Sequence, residues 1–230
     1  MIKKHIPNTI TCCNLLCGCV SIHFAGHEHI LWASVMIFAA AVCDFFDGFA
    51  ARALNAKSPI GGELDSLSDV VSFGVAPSFI VAWYLSNTGI GWWVHNVNLF
   101  PMLAFILAAF AAVRLAKFNI DTRQTTSFIG LPVPAVGLFI ASLPFANMCL
   151  FRNTYFLLVM VAVFSWLMIS EVPFFSFKIK NLRFKENILR YFVMIFGIVA
   201  VIIMKLKALP FIFLFYMLLS VICYKGEKMK

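Results

Sequence analysis

Eight apolar stretches run through this chain, joined by short polar links: 10–26, 31–53, 65–86, 99–118, 131–150, 154–175, 188–205 and 207–224. Each approaches the roughly 20 residues an α-helix needs to cross a bilayer core. In lipid, every backbone N–H and C=O must find its partner inside the protein, which a helix provides and an open sheet edge does not. The pattern therefore predicts an all-α, polytopic transmembrane helical bundle of about eight spans. No link is long enough to separate a soluble unit, so a single membrane-embedded domain over 1–230 is expected. Composition agrees: 62% of residues are hydrophobic and 12% charged, against about 45–50% and 25% in soluble domains. A chain of 230 residues cannot hide that surplus in a soluble core. A soluble enzyme, a disordered tail and a disulfide-stapled secreted domain are excluded. The net charge of +8 then points to an anionic membrane surface and not to nucleic acid. Cys12, Cys13, Cys17 and Cys19 fit no zinc spacing and read as small hydrophobes in an apolar stretch.

Charge sets the expected orientation. With the N-terminus inside and eight spans, all of the 18 Lys and Arg residues face the cytoplasm except Arg152, Lys205 and Lys207, as the positive-inside rule requires. The link 87–98 has no Lys or Arg but carries Trp92 and Trp93, an outer interfacial anchor. The basic stretch Lys178–Arg190 reads as a headgroup anchor on the inner side.

Four acids break the apolar pattern: Asp44, Asp47, Asp65 and Asp69. Carboxylates at membrane depth are costly and mark function. Asp44 and Asp47 are three apart and Asp65 and Asp69 four apart, so each pair shares a helix face. The link between them, Asn55–Gly62, holds Pro59, Gly61 and Gly62 as breakers and predicts antiparallel neighbouring helices. Asp44 precedes Arg52 by eight residues, so it lies roughly 12 Å along the helix from that arginine. Four clustered carboxylates repel one another unless neutralised, and two divalent cations with a taste for oxygen, Mg²⁺ or Mn²⁺, would balance them. Gly48 leaves room for a ligand to approach the backbone, and Arg52 offers a forked donor to a phosphate oxygen. The residues alone leave open a second reading, an ion-coupled transporter built on acidic helices, although such a protein would show a midplane site and internal repeats.

Asp44-Phe-Phe-Asp47-Gly48-Phe-Ala-Ala51-Arg52, eight residues, then Gly61-Gly-Glu-Leu-Asp65-Ser-Leu-Ser-Asp69 resembles the signature of the CDP-alcohol phosphotransferases, D-x2-D-G-x2-A-R-x8-G-x3-D-x3-D, at every defined position. The flanks resemble the bacterial, integral-membrane phosphatidylserine synthases of that family. They are Ile6-Pro7-Asn8-Thr9-Ile10-Thr11 with Asn14, Ser72-Phe73-Gly74-Val75-Ala76-Pro77, Arg114-Leu115-Ala116-Lys117-Phe118-Asn119 and Gly130-Leu131-Pro132-Val133-Pro134-Ala135.

The resemblance implies a homodimer in the bacterial cytoplasmic membrane, with a six-helix catalytic core over about 1–175 and accessory helices over about 188–224. It implies phosphatidyl transfer from CDP-diacylglycerol to L-serine, releasing CMP. Asp44, Asp47 and Asp65 would hold one metal, Asp44, Asp65 and Asp69 the other, with Asp69 also the general base. Asn8, Thr11, Gly48, Arg52 and Ser58 would hold the CDP-lipid. On residue chemistry Asn8 and Thr11 serve equally as helix caps and Ser58 as a turn residue. Arg114, Lys117 and Asn119, with Arg123 nearby, would receive the acceptor. A basic interfacial belt also explains Lys117 and Arg123. Glycerol 3-phosphate or an inositol phosphate stays open as acceptor on the same chemistry. His23, His27 and His29 are expected on the face away from the acids and are not read as ligands.

Overall fold

α1 (His5–Gly26) and α2 (Ile30–Ala53) open the chain as a helical hairpin. The computed structural model describes residues 5–56, 58–121, 127–175 and 184–227. Lys57, Arg123 and the 178–183 part of the basic stretch lie outside them. Next, α3 (Pro59–Asp69), a π-helical turn (Val70–Val75) and α4 (Ala76–Ser86) form one 28-residue rod. The hairpin β1 (Trp93–Val94) and β2 (Val97–Asn98) comes after it, with Trp92 and Trp93 exposed. A 3₁₀ segment, Phe100–Phe105, leads into α5 (Ile106–Ile120). The rest of the chain comprises β3 (Ser127–Ile129), α6 (Val133–Ala146), α7 (Thr154–Ile169), β4 (Pro173–Phe175), α8 (Phe184–Met204) and α9 (Leu209–Glu227).

Among the described residues, five stretches are long and apolar enough to cross a membrane: His5–Gly26, Ile30–Ala53, Pro59–Ser86, Phe100–Ile120 and Tyr191–Val221. The last doubles back at Lys205, which takes a positive φ of 54°, so that Phe196 stacks on Phe215 at 4.1 Å between ring centroids. α6 and α7 have only 14 and 16 residues. At about 1.5 Å per residue both fall short of a hydrocarbon core of about 30 Å. The apolar stretches 131–150 and 154–175 thus overstate these helices. Asn147 adopts the left-handed conformation and ends α6, and the chain after Ser170 extends into β4, which pairs antiparallel with β3. That ladder satisfies backbone groups that a longer α7 would have satisfied internally.

The outside of the bundle is apolar and its inside carries polar groups. Phe45, Phe46 and Phe49 are each more than half exposed, while Asn14, Ser68 and Ser72 are wholly buried. A surface of this kind is stable where the solvent is lipid, and the protein is an integral, multi-span membrane protein.

α1 lies at the centre of the end that carries the four acids. It packs along α2 and also against α3, the π-turn and α4. The short link predicts α3 packed on α2; its closest packing is on α1 instead. The breakers in the link also fall differently. Pro59 is the first residue of α3, Ser58 caps it by accepting a 3.1 Å bond from Gly61 N–H, and Gly61 and Gly62 lie within its first turn. Proline suits that position because its missing N–H would have no intrahelical acceptor there. The real turn is shorter, around Asn55, which holds a φ of 48°.

The π-turn is the hub of the bundle. A Cβ on Gly18 of α1 would meet Ser72 Cα at 2.9 Å, and one on Gly137 of α6 would meet Phe73 Cα at 2.9 Å. Gly74 sits with equal closeness on Ala111 of α5, at 3.0 Å. Small residues let backbones approach where no hydrophobic force drives helices together. Two serines add bonds across the same seam: Ser68 donates to Thr11 O at 3.1 Å and Ser72 to Asn14 O at 3.0 Å.

Candidate active site

The signature carboxylates converge from two rods. Asp44 and Asp47 lie in the last turns of α2, and Asp65 and Asp69 in the last turns of α3. One oxygen from each of Asp44, Asp47 and Asp65 lies within 4.8 Å of the others, the one metal-type cluster of three among the described residues. Oxygens on one Mg²⁺ stand about 3 Å apart when adjacent and about 4 Å when opposed, so the trio would draw inward to share an ion. Asp47 Oδ2 and Asp65 Oδ1 are buried with no hydrogen-bond partner. Buried carboxylate oxygens are costly without a donor or a cation, and this donor set of hard oxygens fits a divalent ion.

Asp69 stands apart from the trio. It is 7% exposed, and its Oδ1 accepts a 3.3 Å bond from the Asn14 amide. Asn14 belongs to α1, which thereby holds the deepest carboxylate of α3. In the sequence Asn14 stands in a flank of the signature with no role attached; its signal is a large polar residue in the middle of an apolar stretch. The π-turn begins one residue after Asp69 and is equally silent in the sequence. Single π-turns recur at functional sites, and the extra residue shifts the next helical turns out of phase with those before it.

A cavity of about 260 Å³ opens beside Asp47 and Asp65. The structure brings four of the five proposed CDP-lipid residues to its walls: Asn8, Thr11, Gly48 and Ser58. Asn8 and Thr11 are inside α1 and cap nothing; the Thr11 hydroxyl donates to Pro7 O at 3.0 Å. Ser58 does both jobs, capping α3 and lining the cavity. Gly48 also faces the cavity, and its backbone is not crowded by the protein: a Cβ there would meet only the Arg52 guanidinium, at 3.7 Å. Arg52 is exposed beside Gly48 and is not a wall residue of the cavity.

A second cavity, about 290 Å³, lies on the other side of Asp65 and Asp69. Arg114 and Asn119 line it together with Pro132 and Pro134. Arg114 is 5% exposed, and its guanidinium carbon is 4.9 Å from the Phe118 ring centroid. Asn119 is tied to Ser66 of α3 by side-chain bonds of 3.0 and 3.1 Å. Lys117 is not brought to the carboxylates; it is exposed and lines a neighbouring cavity, with Arg114 between the two. His23 and His27 sit at the far end of α1, ring to ring at 4.5 Å, away from the acids as expected.

The chain is similar to known proteins. A model of the CDP-alcohol phosphatidyltransferase family covers residues 4–176, which contain both cavities and all four carboxylates. The chain is 38% identical over 181 residues to the CDP-diacylglycerol–serine O-phosphatidyltransferase of Bacillus subtilis strain 168, covering 76% of this chain and 92% of that one. It is 29% identical over 228 residues to the protein of that name from Helicobacter pylori strain 26695, covering 94% and 89%. The corresponding protein of Mycobacterium leprae is 32% identical over 232 residues, covering 95% and 72%. With three-quarters of its length inside the family model and a metal-ready carboxylate cluster between two cavities, the chain belongs to the CDP-alcohol phosphatidyltransferase family.

Proposed function

We propose that this protein is a phosphatidylserine-forming enzyme, moving the phosphatidyl group of CDP-diacylglycerol to L-serine with release of CMP. The observation that carries the reading is the convergence of Asp44, Asp47 and Asp65 within 4.8 Å, between one cavity walled by Gly48 and another walled by Arg114. The Bacillus and Helicobacter relatives carry the same reaction in their names.

The residues divide the work. Asn8, Thr11, Gly48 and Ser58 form the CDP-lipid side, and Arg52 reaches over from its exposed position to a phosphate oxygen. Glycine within a helix costs about 1 kcal/mol relative to alanine. Packing does not demand one at Gly48, so the room it leaves serves the ligand. Asp44, Asp47 and Asp65 would hold one divalent ion, and Asp44, Asp65 and Asp69 a second, either Mg²⁺ or Mn²⁺. Bound there, the ions would neutralise charge on the diphosphate and on the departing CMP.

Asp69 takes the proton. A serine hydroxyl is almost fully protonated at neutral pH and needs a carboxylate within hydrogen-bond reach. As the serine oxygen bonds to the phosphatidyl phosphorus, its proton passes to Asp69 and the bond from that phosphorus to the CMP oxygen breaks. Asn14 holds Asp69 in place through its 3.3 Å bond. On the acceptor side, Arg114 offers its fork to the serine carboxylate, with Asn119 at the cavity wall and Lys117 adding positive charge nearby. The site faces the cytoplasm in a homodimer, residues 1–175 form the six-helix catalytic unit, and 188–224 add the accessory helices.

The test is CMP release by purified protein from CDP-diacylglycerol with L-serine, glycerol 3-phosphate or an inositol phosphate as sole acceptor. Release with L-serine alone is expected. Release supported better by a phosphorylated acceptor would overturn the serine assignment.

A further inference from the structure

A further cavity, with polar and charged walls, lies at the opposite end of the bundle. It has a volume of about 490 Å³ and is lined by the α1–α2 turn (Glu28, His29), the start of α2 (Trp32), the end of α4 (Trp83) and the junction after α6 (Asn147, Arg152). Asp44 lies 14 residues down α2 from Ile30, roughly 21 Å away along the helix, so this cavity is separate from the carboxylates.

Its walls carry both signs of charge. Arg152 donates from Nη2 to Asn147 Oδ1 at 2.9 Å, which holds its guanidinium at the cavity. The first turn of α2 adds N–H groups; it has no side-chain cap and no acidic residue within the turn itself, which favours an anion there. Glu28 supplies the opposite charge, from a position that local structure would give to glycine. Glu28 N–H bonds to Ala25 O at 3.1 Å and His29 N–H to Phe24 O at 2.9 Å, the Schellman pattern, in which the residue at Glu28's place takes the left-handed conformation. Glu28 does so, with a φ of 64°. A side chain there is strained relative to glycine, and strained non-glycine residues concentrate at ligand sites. Buried indole Nε1 of Trp83 lacks a hydrogen-bond partner. Trp32 is 59% exposed on the outer surface beside the cavity, where an aromatic ring lies at the level of lipid headgroups.

We propose that this cavity binds the headgroup of a phospholipid bearing both a phosphate and an ammonium, with Arg152 and the α2 N-terminus on the phosphate and Glu28 on the ammonium. A guanidinium between helices at a membrane face suits a lipid phosphate, and Glu28 selects against headgroups with no cation. The acyl chains run past Trp32 into the surrounding bilayer.

The experiment is native mass spectrometry of the full chain in detergent, titrated separately with phosphatidylethanolamine, phosphatidylglycerol and inorganic phosphate. The wild-type protein retains phosphatidylethanolamine in preference to phosphatidylglycerol. Arg152→Gln weakens both lipids on the order of tenfold, as expected for loss of a charged hydrogen bond. Glu28→Gln removes the preference for phosphatidylethanolamine. Glu28→Gly also weakens that lipid but raises the melting temperature by relieving the left-handed strain, a combination a purely structural role for Glu28 would not produce. Unchanged retention of phosphatidylethanolamine in both Arg152→Gln and Glu28→Gln would overturn the proposal, as would a wild-type preference for phosphatidylglycerol. Displacement of the lipid by millimolar inorganic phosphate would overturn it in favour of a small-anion site. Binding is read directly, so the outcome does not depend on the acceptor used in catalysis.

Discussion

Gly18→Ala is the substitution through which the packing of α1 should be felt most sharply in catalysis. A Cβ at this position would lie 2.5 Å from Ser72 Oγ, 2.9 Å from Ser72 Cα and 3.1 Å from Ser72 N. Carbon atoms rest at about 3.5–4.0 Å, and two of these neighbours are backbone of the π-turn, which cannot rotate away. α1 must therefore back off by about half an ångström or more. Overpacking of this kind costs about 1–3 kcal/mol. The same retreat stretches the Ser72–Asn14 bond of 3.0 Å and the Asn14–Asp69 bond of 3.3 Å, and the latter has little length to spare before it ceases to be a hydrogen bond. Asp69 then loses the side-chain anchor that α1 gives it, and the CDP-lipid wall on α1 shifts with it. A misplacement approaching 1 Å can cost on the order of a hundredfold in rate. The expected result is a fall in turnover of about ten- to a hundredfold with a melting temperature lower by on the order of 5 °C. CMP release and thermal unfolding in the same detergent measure both. Gly26→Ala is the control, since a Cβ there meets nothing within 4 Å. If Gly18→Ala matches the Gly26→Ala protein in both rate and stability, α1 does not position Asp69 and the reasoning fails.

Asp69→Asn should abolish turnover while CDP-lipid binding survives, because a base acts in the chemical step more than in ground-state binding; near-normal CMP release would remove Asp69 from that role. Asp44→Asn should lose turnover and CDP-lipid binding together, read by the same two assays, since it belongs to both proposed metal sets. Exhaustive chelation should silence the enzyme, and readdition of Mg²⁺ or Mn²⁺ should restore it; full activity in the chelated protein would end the metal model. Arg114→Lys should raise the serine concentration needed for half-maximal rate and leave that for CDP-diacylglycerol alone, because lysine cannot reproduce a two-pronged contact with a carboxylate; unchanged serine dependence in the folded variant would make Arg114 a structural residue.

What could be read from the sequence was local or periodic. Long apolar stretches require helices in lipid, and the three- and four-residue spacings of the aspartates put each pair on one face whatever the helices later pack against. The match at Asp44–Asp69 then carried the chemistry, because its defined positions lie on two consecutive helices. Where the sequence misled, neighbours across space decided. Pro59 and its glycines looked like a broken link, yet a serine cap and the tolerance of a first turn for proline put them inside α3. Apolar residues after Ser170 looked helical, yet the backbone of β3, more than forty residues earlier, offered β4 a ladder. No spacing announces that Asn14 reaches Asp69 across 55 positions. Nor does any pattern mark the turn at Val70–Val75 as π-helical, because that geometry arises where Gly18, Gly137 and Gly74 let three helices press on one stretch of backbone. The sequence by itself determined which carboxylates are candidates for the chemistry and that they ride on membrane helices. Only the tertiary structure decided which helix holds Asp69, because that depends on how closely separate backbones can approach, a property of pairs of surfaces and not of any one segment.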